Sequence, residues 1–181
     1  MFFIDDFLKD KQLGVELHLG GIAAVLLIVL VCNEDVTRSA NFSPFYSHLK
    51  ILNGLVLMTN HLHFAGRCEE LHRMSDFLRN FKKHTSKALA KAVLTTPESR
   101  REWLMDKFAF EARRSGRADR YKIWRDDNHA IDMSGLDIRE KLSYMHENPV
   151  RAGIVERGED YLMSSAMDYS GESGLVPIEI I

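Results

Sequence analysis

The chain has 181 residues, of which 45% are hydrophobic and 28% are charged, and its formal net charge is -2 at pH 7. This composition is typical of a globular protein and excludes a disordered or fibrous chain. The length allows one domain with a hydrophobic core, so we expect residues 1–181 to form a single domain. The two cysteines, Cys32 and Cys68, have no C-x-x-C spacing, which argues against a disulfide framework or a zinc finger and fits a reducing cytoplasm.

An apolar run from Leu19 to Cys32 is the only candidate for a membrane segment. It is shorter than the about 20 residues that a membrane-spanning helix needs, so a buried strand or a short core helix is the better interpretation. The residues before it are acidic, whereas a signal peptide begins with basic ones. We therefore expect a soluble, cytoplasmic protein without a membrane partner.

Residues Leu52 to Phe64 are predicted to form one strand, which Gly54 weakens or bends. The strand ends in His61 and His63. Alternate side chains of a strand share a face, so the two imidazoles are expected to point together. Two adjacent imidazoles suit a divalent metal ion, and a pair of histidines at the rim of a strand is the alternative.

A helix is predicted from Leu71 to about Leu94, because apolar residues recur there at helical spacing. The overall charge argues against a nucleic-acid partner, but the positive charge is concentrated locally, on this helix and in a second basic stretch at residues 113–125. A solvated helix face is the alternative to DNA binding for these side chains. The candidates for DNA binding are Arg79, Lys82, Lys83, Lys87 and Arg125.

A second helix is predicted through Trp103 and Phe110, followed by a basic loop and a short possible strand at residues 121–133. A last helix begins near Leu136, and Pro149 ends it. On this helix Tyr144 and Asn148 share a polar face, so both could meet a metal ion held by the two histidines. The alternatives are a tyrosine that covers the edge of the core and an asparagine that caps the helix.

Several separated segments together resemble one family. In chain order they are MTNHLH (58–63), SDFLRNFKKHTSKAL (75–89), WRDDNH (124–129), YMHENPVRAGIV (144–155) and SSAMDYSG (164–171). The chain is similar in this order to the REP-associated tyrosine transposases, which belong with the single-tyrosine HUH transposases of small insertion sequences. The resemblance covers about residues 55–180, and several motifs in the right order are far more specific than one H-x-H pattern.

The resemblance implies an α+β fold in which helices flank an antiparallel sheet, of the ferredoxin-like HUH-nuclease type. It implies that His61 and His63 are metal ligands, that Asn148 is a further ligand and that Tyr144 is the nucleophile. His129 matches a histidine of the family's W-x-x-x-x-H segment, for which a structural or substrate-positioning role is the simplest interpretation.

The function that the resemblance implies is cleavage and rejoining of single-stranded DNA through a 5′-phosphotyrosine intermediate, with Mg²⁺ or Mn²⁺ as cofactor. The metal would polarise the scissile phosphate, and it would help a tyrosine, which ionises only near pH 10 and is a poor nucleophile, to lose its proton. The implied partner is single-stranded DNA that contains a hairpin. Both a monomer and a homodimer remain open as assemblies.

The family opens with a strand of the F-x-T-x-x-x-x-x-R kind, and residues 1–50 show no such pattern. We therefore expect an atypical opening, and the alternative function is a non-catalytic, hairpin-binding relative or a decayed transposase copy. A metal-dependent hydrolase of small substrates ranks last, because no set of acidic residues accompanies the histidines.

Overall fold

The computed structural model describes residues 2–7, 49–59, 61–68, 70, 73–95, 97–126 and 129–181, with only the backbone of residues 2–7 and 129. The apolar run at residues 19–32 lies outside these ranges. The strands and helices are β1 (Phe2–Phe7), β2 (Leu49–Leu57), β3 (His61–Cys68), α1 (Met74–Thr95), α2 (Arg101–Ser115), β4 (His129–Asp132), α3 (Ile138–His146), α4 (Asn148–Arg151) and α5 (Ala166–Tyr169), with a 3-10 turn at Gly158–Asp160. Within the described residues, no helix is long and apolar enough to cross a membrane.

The four strands form one sheet in the order β2-β3-β1-β4, in which every neighbouring pair is antiparallel. This order, with a β2–β3 hairpin followed by helices and then β4, is that of a ferredoxin-like domain. The predicted α+β fold with an antiparallel sheet flanked by helices is therefore confirmed. Although the expected opening motif is absent, Phe2–Phe7 form a strand that pairs with β3 on one side and with β4 on the other.

The segment predicted as one strand from Leu52 to Phe64 is a β-hairpin, so this prediction was wrong. β2 ends at Leu57 and β3 begins at His61, and the Met58 N–H donates to the His61 carbonyl at 2.8 Å. Apolar residues on both sides of Thr59 concealed the turn. The two histidines therefore begin a strand instead of ending one.

The sheet separates two hydrophobic clusters, because alternate side chains of its strands point to opposite faces. On one face Leu62 and Phe64 of β3 pack against α1. On the other face Ala65 packs with Leu142 and Met145 of α3. The odd-numbered positions of β3 therefore face α3, and His61 and His63 are among them.

Gly54 allows α3 to lie close to β2. A Cβ atom at this position would lie 2.5 Å from both Leu142 Cδ2 and Met145 Cε, which is shorter than any normal contact. The β2–β3 register also shifts between Leu52 and Gly54, which confirms the predicted irregularity. The missing side chain at this bulge sets the distance between the sheet and the helix that carries Tyr144.

The C-terminal segment covers the outer edge of β2. The Leu57 N–H donates to the Met163 carbonyl at 2.9 Å, and the Ser165 N–H donates to the Leu55 carbonyl at 2.8 Å. The Tyr161 hydroxyl also donates to the Leu57 carbonyl at 2.8 Å. These bonds pair main-chain groups that an edge strand would otherwise leave open to other chains.

Candidate active site

His61 and His63 stand side by side at the start of β3. Their ring centroids are 4.7 Å apart and their planes are at 84°, an edge-to-face arrangement. The expectation that the two imidazoles share a face of the sheet is confirmed. Two imidazole rings this close together can both offer a nitrogen to one ion.

His63 is buried, with 1% of its surface exposed. Burial, assisted by the neighbouring His61, lowers the pKa of His63 from 6.5 to about 3. Its imidazole is therefore neutral at neutral pH, and the neutral ring is the form that binds a metal ion.

Tyr144 of α3 lies beside this pair. Its ring centroid is 6.4 Å from that of His63, with the ring planes at 79°, and 44% of the residue is exposed. Helix α3 begins after Asp137, whose carboxylate accepts a hydrogen bond from the Arg139 N–H at 2.9 Å, a normal N-cap. The helix buries Leu142 and Met145 against the sheet, which leaves Tyr144 at the margin of the packed surface, where the solvent reaches it.

Asn148 caps the end of α3. Its side-chain amide nitrogen donates to the carbonyls of Tyr144 and Met145, both at 3.2 Å. This contact corresponds to the capping alternative from the sequence. The ligand role predicted for Asn148 would have to use its amide oxygen, and it stays a prediction.

Arg151 is a residue of this region that the sequence analysis missed. Its guanidinium carbon lies 4.8 Å from the centroid of the Tyr144 ring. The i, i+7 spacing of the two residues could have indicated this contact, because such residues share a helix face. Pro149 obscured it, since it was expected to end the helix, whereas the chain continues into α4 with Pro149 in the first turn.

His129 occupies the same row across the sheet as His63. In the strand register Asp5 of β1 stands opposite His63 of β3 on one side and opposite His129 of β4 on the other. Two strand spacings of about 4.8 Å each separate the backbones of the two histidines. The role predicted for His129 stays a prediction, because only its backbone is described.

Among the described residues, no group of three or more His, Cys, Asp or Glu side chains is arranged to hold a metal ion. In this part of the chain an ion at His61 and His63 would therefore need oxygen ligands of another kind. An amide oxygen, water and a phosphate oxygen are the available types.

The segment before β4 is attached to α1 by Trp124. The buried indole N–H donates to the Thr85 hydroxyl at 2.8 Å. The next residue, Arg125, accepts a hydrogen bond from Lys82 Nζ at its carbonyl, at 2.6 Å. Two of the predicted DNA-binding residues, Lys82 and Arg125, are therefore neighbours in space.

The other predicted DNA-binding residues lie along α1. Lys83 and Lys87 are exposed, and Arg79 forms an exposed ion pair with Asp76 at 3.0 Å. Helix α1 covers the face of the sheet opposite to α3. The fold therefore does not bring these side chains to the face that carries Tyr144.

Lys122 and Arg117 add positive charge near Arg125, and the sequence analysis did not single them out. Both pair with Asp126, at 2.6 Å and 3.3 Å respectively. The hydrogen bond from Lys122, supported by the charges of Lys122, Arg117 and Lys82, lowers the pKa of Asp126. The carboxylate is ionised at neutral pH and offsets part of the positive charge.

No protein-family model matches the chain, and no curated protein matches it. Among solved structures, the chain is similar to that of a REP-associated tyrosine transposase bound to a REP hairpin. The sequences are 18% identical, the match covers 99% of this chain and 84% of that chain, and the TM-score is 0.49.

Proposed function

We propose that the chain is a metal-dependent transposase that cleaves and rejoins single-stranded DNA with Tyr144 as its nucleophile. One observation carries the proposal: an exposed tyrosine ring lies 6.4 Å from a buried, neutral histidine whose ring is 4.7 Å from that of a second histidine. A hydroxyl nucleophile beside a metal-binding pair is the arrangement that metal-assisted phosphoryl transfer requires.

The residues present fit a divalent ion. Two imidazoles that share a face supply two nitrogen ligands, and the amide oxygen of Asn148 is the candidate for a third. A bound Mg²⁺ or Mn²⁺ would supply Lewis-acid polarisation of the scissile phosphate. Of these two ions Mn²⁺ is the transition metal and accepts imidazole nitrogen more readily, so the ligand set favours Mn²⁺ over Mg²⁺.

The covalent step exchanges one bond to phosphorus for another. The hydroxyl oxygen of Tyr144 bonds to the phosphorus, and the bond from phosphorus to the 3′ oxygen of the preceding nucleotide breaks. The phenol loses one proton and the departing 3′ oxygen gains one. The product is a 5′-phosphotyrosine and a free 3′-hydroxyl, which can attack the same linkage to rejoin the strand without a nucleotide cofactor.

The buried position of His63 gives it a role besides ligation. Its ring is fixed by the packing between the sheet and α3, so the Tyr144 ring meets a rigid neighbour and not a mobile one. Rigid support of a reacting group reduces the freedom that is lost in reaching the transition state.

A non-catalytic protein that binds DNA hairpins is the second candidate function. It is supported by the position of the basic side chains of α1, on the face of the sheet opposite to Tyr144. Such a surface could hold a hairpin stem without any reaction at the tyrosine.

End-labelled oligonucleotides distinguish the two functions. A single-stranded oligonucleotide that contains a hairpin is incubated with the chain and Mn²⁺ and then run on a denaturing gel. The transposase should retain a 3′-end label in a covalent protein adduct and release a 5′-end label in a shorter strand. A hairpin-binding protein would retard the DNA on a native gel and give no adduct.

A further inference from the structure

We propose that Arg151 binds the phosphate that Tyr144 attacks, and that its contact with the Tyr144 ring holds it in place for this purpose. The inference deepens the proposed function and rests on it. It assigns to the site a positive group that belongs to the protein and is separate from the metal ion.

The backbone carries Arg151 back to Tyr144 across Pro149. The Arg151 N–H donates to the Glu147 carbonyl at 2.9 Å, so the chain stays helical from α3 into α4. Pro149 itself is buried, and Gly153, with a φ of 68°, ends the turn. The two residues therefore lie on one side of a nearly continuous helix.

Among the described residues, the Arg151 guanidinium makes no side-chain hydrogen bond, so its N–H groups are available to a ligand. The group lies over the face of the ring, where the attraction is between a cation and the π electrons. The N–H groups of a guanidinium match two oxygens of a phosphate. Both side chains are exposed, so a DNA strand can reach them.

Among the described residues, the surroundings of Arg151 differ from those of three other exposed arginines. Arg79, Arg114 and Arg157 each pair with a carboxylate on a nearby residue. In the part of the chain that the structure describes, Arg151 has no such ion pair, and its observed contact is the Tyr144 ring. A cation beside the nucleophile without an acid to neutralise it is suited to a phosphate.

The test measures binding separately from chemistry. In the Tyr144→Phe chain, which keeps the ring and removes the nucleophile, the affinity for a fluorescein-labelled hairpin oligonucleotide with a single-stranded tail is measured at several salt concentrations. Arg151→Met in this background should lower the affinity about tenfold. It should also reduce the slope of log K against log salt by about 0.7, the value for one phosphate of a single strand.

Two variants serve as controls. Arg151→Lys keeps the charge and loses the planar guanidinium, so it should preserve the salt slope and, in the chain with Tyr144 intact, slow adduct formation. Arg157→Met removes an exposed arginine that already pairs with Glu159, and it should change neither the affinity for the hairpin oligonucleotide nor the salt slope.

An unchanged salt slope and affinity in Arg151→Met would overturn the inference even if the adduct forms. Suppose that Arg151→Met reduces the salt slope but the chain with Tyr144 intact forms no adduct. This result would support phosphate binding by Arg151 and reject the proposed reaction.

Discussion

The rings of Tyr144 and His63 lie edge to face, with their centroids 6.4 Å apart, although one belongs to α3 and the other to β3. The contact exists because the odd-numbered positions of β3 face α3 and because α3 lies close to the sheet at Gly54. The distance between the proposed nucleophile and the proposed metal ligand therefore depends on the packing of this helix.

Gly54→Ala should move α3 away from the sheet. The added Cβ would overlap the side chains of Leu142 and Met145, so we expect a loss of about 1–3 kcal/mol in the free energy of unfolding. Urea denaturation measures the loss, and adduct formation should fall with it. A Gly54→Ala variant as stable as the unmutated chain would show that α3 does not pack closely against the bulge at Gly54.

Ser165→Ala should loosen the C-terminal segment from β2. The buried Ser165 hydroxyl accepts the Leu55 N–H and contacts His146 Nε2, both at 2.9 Å. Burial lowers the pKa of His146 to about 4, despite the opposing effect of Asp168, so the neutral ring can accept the hydroxyl proton. We expect a loss of about 1–3 kcal/mol in the free energy of unfolding, because the Leu55 N–H loses its partner.

The matched control for this variant is Ser170→Ala. The Ser170 hydroxyl donates to the Met167 carbonyl within the same segment. Because Ser170 is exposed, water can replace this hydrogen bond. Denaturation midpoints should separate the two variants clearly. Equal effects would mean that the buried hydrogen bonds of Ser165 contribute little.

His61→Ala should weaken metal binding, since it removes one of two imidazoles whose ring centroids are 4.7 Å apart. Isothermal titration with Mn²⁺ is expected to show a loss of at least about tenfold in affinity. Mn²⁺ should bind the unmutated chain more tightly than Mg²⁺ does. His84→Ala, on α1, is the control. An equal loss of Mn²⁺ affinity in both variants would contradict the assignment of the histidine pair as metal ligands.

Lys83→Ala combined with Lys87→Ala tests the basic side of α1. If these exposed lysines contact a hairpin stem, the salt slope of binding should fall by up to about 1.8, the value for two phosphates of a duplex. Because α1 and Tyr144 lie on opposite faces of the sheet, adduct formation at saturating DNA should stay unchanged. Lys107→Ala on α2 is the control. An unchanged salt slope in the double variant would mean that these lysines form a solvated helix face and do not contact the DNA.

Sequence patterns predicted the local features of this fold better than the long-range ones. The alternation of side chains in a strand correctly predicted that His61 and His63 share a face, and helical periodicity located α1 and α3. The turn between Leu57 and His61 was missed, because the apolar run continues through it. The contact of Arg151 was missed as well, since it depends on the path of the chain around Pro149.

The sequence also did not predict which helix covers which face of the sheet. Helical spacing grouped the lysines of α1, and a separate pattern grouped Tyr144 with Asn148, but neither pattern says which face of the sheet each helix covers. The handedness of the crossover from β3 to β4 decides which face α1 covers, and this crossover depends on the pairing of β1 between the two strands, a long-range property. The sequence resemblance implied a fold, and the separation of the two groups followed only from the three-dimensional arrangement.

Covalent capture by Tyr144 is the measurement that tests the central claim most directly. A hairpin oligonucleotide with a 3′-end label is incubated with Mn²⁺ and one of three proteins: the unmutated chain, Tyr144→Phe or Tyr161→Phe. Tyr161→Phe is the control, because the Tyr161 hydroxyl donates to the Leu57 carbonyl. The account predicts a labelled protein band that withstands denaturation for the unmutated chain and for Tyr161→Phe, and no band for Tyr144→Phe, which should still bind the DNA. A labelled band of unchanged intensity with Tyr144→Phe would contradict the account.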